Sequence, residues 1–180
     1  MIVVGLDLSL TKSGYAIVKD DGKVLASGII KSKPVGDKPL AETKRIVKIA
    51  EDIVEKIDEI LPTEDPALVV IEGLAFMAKG TSLVQLAGLN YLMRTLLTEF
   101  KWPFVIVAPT TLKKFITGKG NGEKDLMMMT VFKEYGFESF DNNVCDAYSL
   151  AVCGLAVLGK PVRALTTPGK EVLVLLTKQL

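Results

Sequence analysis

The chain has no histidine in its 180 residues, so no imidazole can serve as base, nucleophile or metal ligand. It has only two cysteines, Cys145 and Cys153, eight apart inside an apolar helical pattern. That is too few for a disulfide framework or a zinc site, and it suits reduced thiols in a core. No apolar run reaches the ~18 residues that cross a bilayer, so no membrane partner is expected. The opening MIVVGLDLSL lacks a basic n-region and a cleavage site, and reads as a first strand of a cytoplasmic protein. Internal repeats and low-complexity linkers are also missing. A single domain over residues 1–180 is the simplest expectation, with 159–180 a tail whose Pro161, Pro168 and EVLVLL run do not specify a structure.

What is present is unevenly charged. The net charge is +1, yet residues 41–65 hold eight acids (Glu42, Glu51, Asp52, Glu55, Asp58, Glu59, Glu64, Asp65) against four bases. Residues 101–133 hold six lysines (Lys101, Lys113, Lys114, Lys119, Lys124, Lys133) against Glu123 and Asp125. One face can therefore be basic, as a nucleic-acid binder requires, although ordinary solvated helix faces give the same count.

Periodicity gives the order of elements. Strands are expected at Ile2–Leu8, Gly14–Lys19 and Val24–Ile30, with a polar turn at Thr11-Lys12-Ser13 and a hairpin turn at Asp20-Asp21-Gly22. A helix follows from Leu40 to Leu61, stopped by Pro62, then a strand from Ala67 to Glu72. A helix over Leu83–Phe100, a strand over Phe104–Ala108 and helices at Thr110–Ile116, Glu123–Tyr135 and about Asn142–Leu158 complete the chain. Three hairpin-ordered strands followed by alternating helices and strands make an α/β fold: a five-stranded mixed sheet, three antiparallel strands then two parallel, with helices on both faces. That order is similar to the ribonuclease H-like domains, a fold that hosts many activities.

Two of these strands end in acids. Asp7 interrupts IVVGLDLSL on the face opposite Ile2, Val4 and Leu6, and Glu72 closes the core strand before IEGLAFMAK. If the first and fourth strands are parallel neighbours, the two carboxylates meet at one end of the sheet. There they repel unless a divalent cation sits between them. Asp146 falls about one turn into the apolar helix of SFDNNVCDAYSLAV, where a carboxylate needs a partner. Ser139, Asp141 and Asn142 are all competent helix caps. Taken alone, Asp7 is better explained as the cap of a strand or turn, whereas Asp146 is harder to explain that way. Together they suit a cage of hard oxygens for two-metal phosphodiester cleavage.

The blocks VVGLDLSLTKSGYAIV, VVIEGLAFMAKGTSLVQLAGL, PTTLKKFITGKGNGEK and DNNVCDAYSLAV occur in this order. The set resembles the RuvC-type Holliday junction resolvases, and Leu8-Ser9 after the first acid looks closer to their phage-type branch. The resemblance implies a structure-selective endonuclease that resolves four-way DNA junctions. It implies Asp7, Glu72 and Asp146 as catalytic metal ligands, with Mg²⁺ the ion, Mn²⁺ a substitute and two ions per site. The family's further acid, three residues before the last aspartate, is Asn143 here, which offers a carbonyl oxygen without charge; Asp141 is an alternative. The resemblance also implies Phe76 as an aromatic wedge at the branch point, against the alternative that it packs under the next helix. Lys79, Lys113, Lys114, Lys119 and Lys124 are expected on DNA phosphate, with Lys119 among the candidates to assist the chemistry.

The glycine loop around Gly118, Gly120 and Gly122 does not fit GxxxxGK[ST], so no nucleotide cofactor is expected. Cutting two opposed strands calls for a homodimer, and SLVQLAGLNYLMRTLL, apolar on most of its surface, is either buried in the monomer or shared with a partner. Met127-Met128-Met129 reads as adaptable packing. A bacterial or phage-infected cytoplasm is the expected setting. Competing readings are a ribonuclease H-like nuclease acting on RNA, RNA–DNA hybrid or flap and fork DNA, an actin-like kinase or ATPase, and a non-catalytic junction-binding protein.

Overall fold

The computed structural model describes residues 1–36, 38–61, 63, 65–74, 80–120 and 124–180. Phe76, Lys79 and the Lys124 side chain lie outside the described residues. The strands are β1 (Ile2–Asp7), β2 (Lys12–Lys19), β3 (Val24–Lys31), β4 (Leu68–Glu72) and β5 (Phe104–Val107). The helices are α1 (Pro39–Ile60), α2 (Thr81–Glu99), α3 (Pro109–Thr117), α4 (Lys124–Tyr135), α5 (Asn142–Val157) and α6 (Thr167–Leu176). A short 3₁₀ turn at Thr177–Gln179 follows α6.

The sheet order is β3-β2-β1-β4-β5. β1 runs antiparallel to β2 and parallel to β4, β2 antiparallel to β3, and β4 parallel to β5. The expected five-stranded mixed sheet is therefore the one formed. Its alternation splits the core as the pleat demands. Ile2, Val4 and Leu6 pack with α1 and α2 residues such as Ile53 and Met93, while Val3 packs with α5 residues such as Cys153 on the other face.

Helix α5 lies unusually close to the sheet because glycines line its seat. A Cβ on Gly5 would stand 2.6 Å from the Ala151 nitrogen, and a Cβ on Gly14 would overlap the Asn143 carbonyl. Only residues without a side chain allow that approach. Tyr148 anchors the same helix, stacked on Phe137 with ring centroids 4.0 Å apart and planes 9° off parallel. Such a pair contributes about 0.5–1.5 kcal/mol beyond its buried area.

Two expectations are corrected. Lys12 and Ser13 are not turn residues: β2 begins at Lys12 because its ladder with β3 runs on past the end of its pairing with β1, to Lys12 opposite Lys31. The tail is ordered into α6, capped by the Thr166 hydroxyl, which accepts from Gly169 N at 3.2 Å, and docked through buried Val172 and Leu176. Its last turn covers the sheet edge: Ile106 N donates to Gln179 Oε1 at 2.9 Å and Gln179 Nε2 donates to Ile106 O at 3.0 Å. Among the described residues no helix is long and apolar enough to cross a membrane.

Candidate active site

The parallel register of β1 and β4 pairs Leu6 with Ile71, which puts Asp7 and Glu72 side by side at the carboxyl end of the sheet. α5 then delivers Asp146 from above, since the glycine seat holds its first turn against β1 and β2. Asp7, Glu72 and Asp146 line one cavity of about 250 Å³ together with Asn142, Asn143, Lys113, Pro109, Met127 and Met128. Asp7 is 8% exposed, while Glu72 and Asp146 are half-buried. The predicted acids thus share a site.

Asn143 lies at its rim. The side-chain Nδ2 donates to the Lys12 carbonyl at 2.9 Å, leaving the amide oxygen as the end that can meet a cation. Asp141 instead caps α5, its Oδ1 accepting from Asn143 N at 2.9 Å. The lysines divide. Lys113 lines the cavity. Lys114 forms a 2.7 Å ion pair with Glu171 of α6, and Lys119 stands exposed on the loop after α3, outside the lining residues.

Supporting residues that sequence reasoning did not single out hold the loops in place. Ser13, buried, accepts from Ser9 N at 3.0 Å and donates to Ser9 O at 2.8 Å, closing the turn after Asp7. Arg45 on α1 reaches the same turn, its guanidinium bonding the Leu10 carbonyl, Ser32 Oγ at 3.0 Å and Glu42 at 3.1 Å. Asn90 on α2 is 1% exposed and donates from Nδ2 to the Glu72 carbonyl at 3.2 Å. A polar residue interrupting the apolar face of α2 was the available signal for Asn90. Cys145, next to Asp146, is buried and is not among the cavity-lining residues; burial, with the Asp146 charge as second cause, pushes its thiol up to about 12.

The lining offers carboxylate and amide oxygens, the donor chemistry that a hard divalent cation takes, beside the Met127 and Met128 thioethers, soft donors that such an ion does not favour. Among the described residues no three histidine, cysteine, aspartate or glutamate side chains form a ready-made cluster for one ion. The donor set fits such an ion through its chemistry.

A family model described as crossover junction endodeoxyribonuclease RuvC matches residues 3–154. The RuvC of Anaeromyxobacter sp. (strain Fw109-5) is 30% identical over 159 residues, covering 87% of this chain and 73% of its own length. The RuvC of Synechococcus sp. (strain WH7803) is 26% identical over 159 residues, covering 86% of this chain and 97% of its own. The solved structure of T. thermophilus RuvC in complex with Holliday junction substrate shares the fold, with a TM-score of 0.69 at 20% identity over 84% of this chain and 90% of that one. With a family model spanning most of its length and its acids gathered at one end of the sheet, the chain belongs to the RuvC family of crossover junction endodeoxyribonucleases.

Proposed function

We propose that this protein is a divalent-metal-dependent DNA endonuclease that resolves four-way junctions, with Asp7, Glu72 and Asp146 as its catalytic acids. The observation that carries the reading is the convergence of those three carboxylates, from β1, β4 and α5, on a cavity that also holds Lys113. Asp7, Glu72, Asp146 and the amide oxygen of Asn143 would hold Mg²⁺, or Mn²⁺ in its place, as two ions per site. Bound ions would activate the attacking water and steady the leaving oxygen of the phosphodiester. The chain's own part is orientation. Two of the acids sit at the ends of core strands, so their main chain is fixed by ladders, Asp7 opposite Gly14 of β2 and Glu72 opposite Val107 of β5. Partial burial excludes bulk water and strengthens every charge interaction there. Lys113 faces the scissile phosphate and neutralises it; Lys114, Lys119 and Lys124 extend the phosphate path, and Phe76 and Lys79 meet the branch point.

The protein acts as a cytoplasmic homodimer of single-domain subunits, because two opposed strands must be cut. Support comes from α2, whose Val84 and Tyr91 are 71% and 63% exposed beside an apolar groove that Leu74, Leu83 and Ile106 also line.

The test is cleavage of a mobile four-way junction, with linear duplex, flap and RNA–DNA hybrid beside it, in Mg²⁺, Mn²⁺ and EDTA. Paired symmetric nicks in the junction, lost in EDTA and in Asp7→Asn, are the expected result. Metal-dependent cutting of hybrid or flap alone keeps the site and removes the substrate. Binding without cutting under every metal removes the enzyme.

A further inference from the structure

Phe140 is 95% exposed, the most exposed of the large hydrophobic residues described. It is no loose tip. Asp141 N donates to Ser139 Oγ at 3.2 Å and Ser139 Oγ donates to Asp141 O at 3.1 Å, closing the turn that carries Phe140. That turn is anchored on one side by Phe137 stacked on Tyr148 and on the other by the Asp141 cap on α5. An aromatic ring is thus held in water on a fixed turn, two residues before Asn142 of the site cavity.

The neighbouring sheet end is basic. Lys12 O accepts from Asn143 Nδ2 at 2.9 Å, so the start of β2 touches the first turn of α5. Lys12 pairs directly with Lys31 of β3, and both are exposed. Like charges placed opposite one another across a ladder repel, and a polyanion reverses the sign of that contact. Because the order is β3-β2-β1-β4-β5, this pair lies on one side of the acids at β1 and β4, and Lys113, midway along the α3 helix that follows β5, lies on the other.

We infer that Phe140, Lys12 and Lys31 form a second nucleic-acid contact, in which a base flanking the scissile phosphate stacks on Phe140 while the two lysines hold the phosphates beside it. A strand drawn across the acids from Lys113 leaves the site over this platform, whose aromatic face and positive charge are the two features that single-stranded nucleic acid takes. The inference rests on the proposed junction-cutting activity and adds to it a contact that positions the cut strand.

The experiment uses the full chain carrying Asp7→Asn, so that binding is read without cleavage. Four-way junctions bearing 2-aminopurine at successive positions outward from the branch point report stacking by their fluorescence. Phe140→Ala is expected to abolish the fluorescence change at one position and to weaken binding roughly five- to hundredfold, the range of a single lost base stack. Phe140→Trp restores both, and Phe100→Ala, at the opposite end of the sheet, changes neither. The double variant Lys12→Ala, Lys31→Ala lowers the slope of log affinity against log salt by about two. Thermal melts unchanged in Phe140→Ala separate contact from fold. If the Asp7→Asn parent binds the junction and Phe140→Ala matches it in fluorescence and affinity, the platform is overturned while the proposed function stands. If the parent binds no junction at all, both fall together.

Discussion

Gly14 of β2 and Asn143 of α5 meet main chain to main chain, so closely that a Cβ on Gly14 would overlap the Asn143 carbonyl. The first turn of α5 carries Asp146, and its height above the sheet is therefore set by a missing side chain. Gly14→Ala is expected to lift that turn, at a cost of about 1–3 kcal/mol for overpacking. The melting temperature should fall by roughly 2–12 °C. On the proposed metal-dependent reading, junction cleavage should fall further than stability, because a carboxylate shifted by part of an ångström would no longer share an ion with Asp7. A variant that melts lower yet cleaves at the parent rate would detach the glycine seat from the site.

Asn143 makes a second prediction, about charge. Its amide donates to the Lys12 carbonyl at 2.9 Å. Asn143→Asp removes that donor, for a loss of about 1 kcal/mol, and adds a carboxylate to a lining that already holds Asp7, Glu72 and Asp146. Cleavage by Asn143→Asp should saturate at a lower Mg²⁺ concentration than the parent requires. A metal titration that superimposes on the parent's would place the Asn143 side chain outside the ion's reach.

The acids were legible because strands that end in charge contradict the rule that core strands are apolar, and Asp7 and Glu72 break it at the same place in two strands. The sheet was legible through period-two alternation and hairpin turns. The start of β2 was not, since Lys12 and Ser13 have turn-like chemistry and only their pairing with Ile30 and Lys31 makes them strand. Gly5 and Gly14 carry no signal of their own in a strand. Their meaning lies in the helix that packs on them, which is separated by more than a hundred residues of chain. The family resemblance places Lys114 on DNA phosphate; its 2.7 Å pair with Glu171 was not legible, because Glu171 belongs to a tail whose helix the sequence did not announce.

Burial in the core pushes the Cys153 thiol from 9.0 up to about 12. The unfolded chain gives up this proton first, so between pH 9 and pH 12 the folded state holds more protons and stability falls as pH rises. Below that window the thiol is neutral in both states and contributes no slope. Cys153→Ala should be less stable at neutral pH, through lost packing, but show a shallower alkaline decline in denaturant midpoints than the parent. In the native protein Cys153 should resist a thiol-labelling reagent at pH 8 and react only on unfolding. Rapid labelling of the native state would mean that the α5 face of the core is open.

Asn90 fixes Glu72 from behind. Its Nδ2 donates to the Glu72 carbonyl at 3.2 Å, while its buried Oδ1 has no hydrogen-bond partner among the described residues and stands beside a small cavity that Glu72 and Pro109 also line. Both residues line the active-site cavity as well, so Asn90 stands one wall away from the chemistry. Asn90→Leu removes this hydrogen bond, at a cost of about 1 kcal/mol, partly offset because the buried amide oxygen also goes. The net stability change should therefore be small. The effect on cleavage should be the larger one, read as a higher Mg²⁺ requirement at unchanged junction affinity, since Glu72 is misplaced and the DNA surface is untouched. Asn90→Gln, too long for the pocket, should not rescue it. A variant that loses stability heavily while its metal dependence stays with the parent's would make Asn90 a core residue and nothing more.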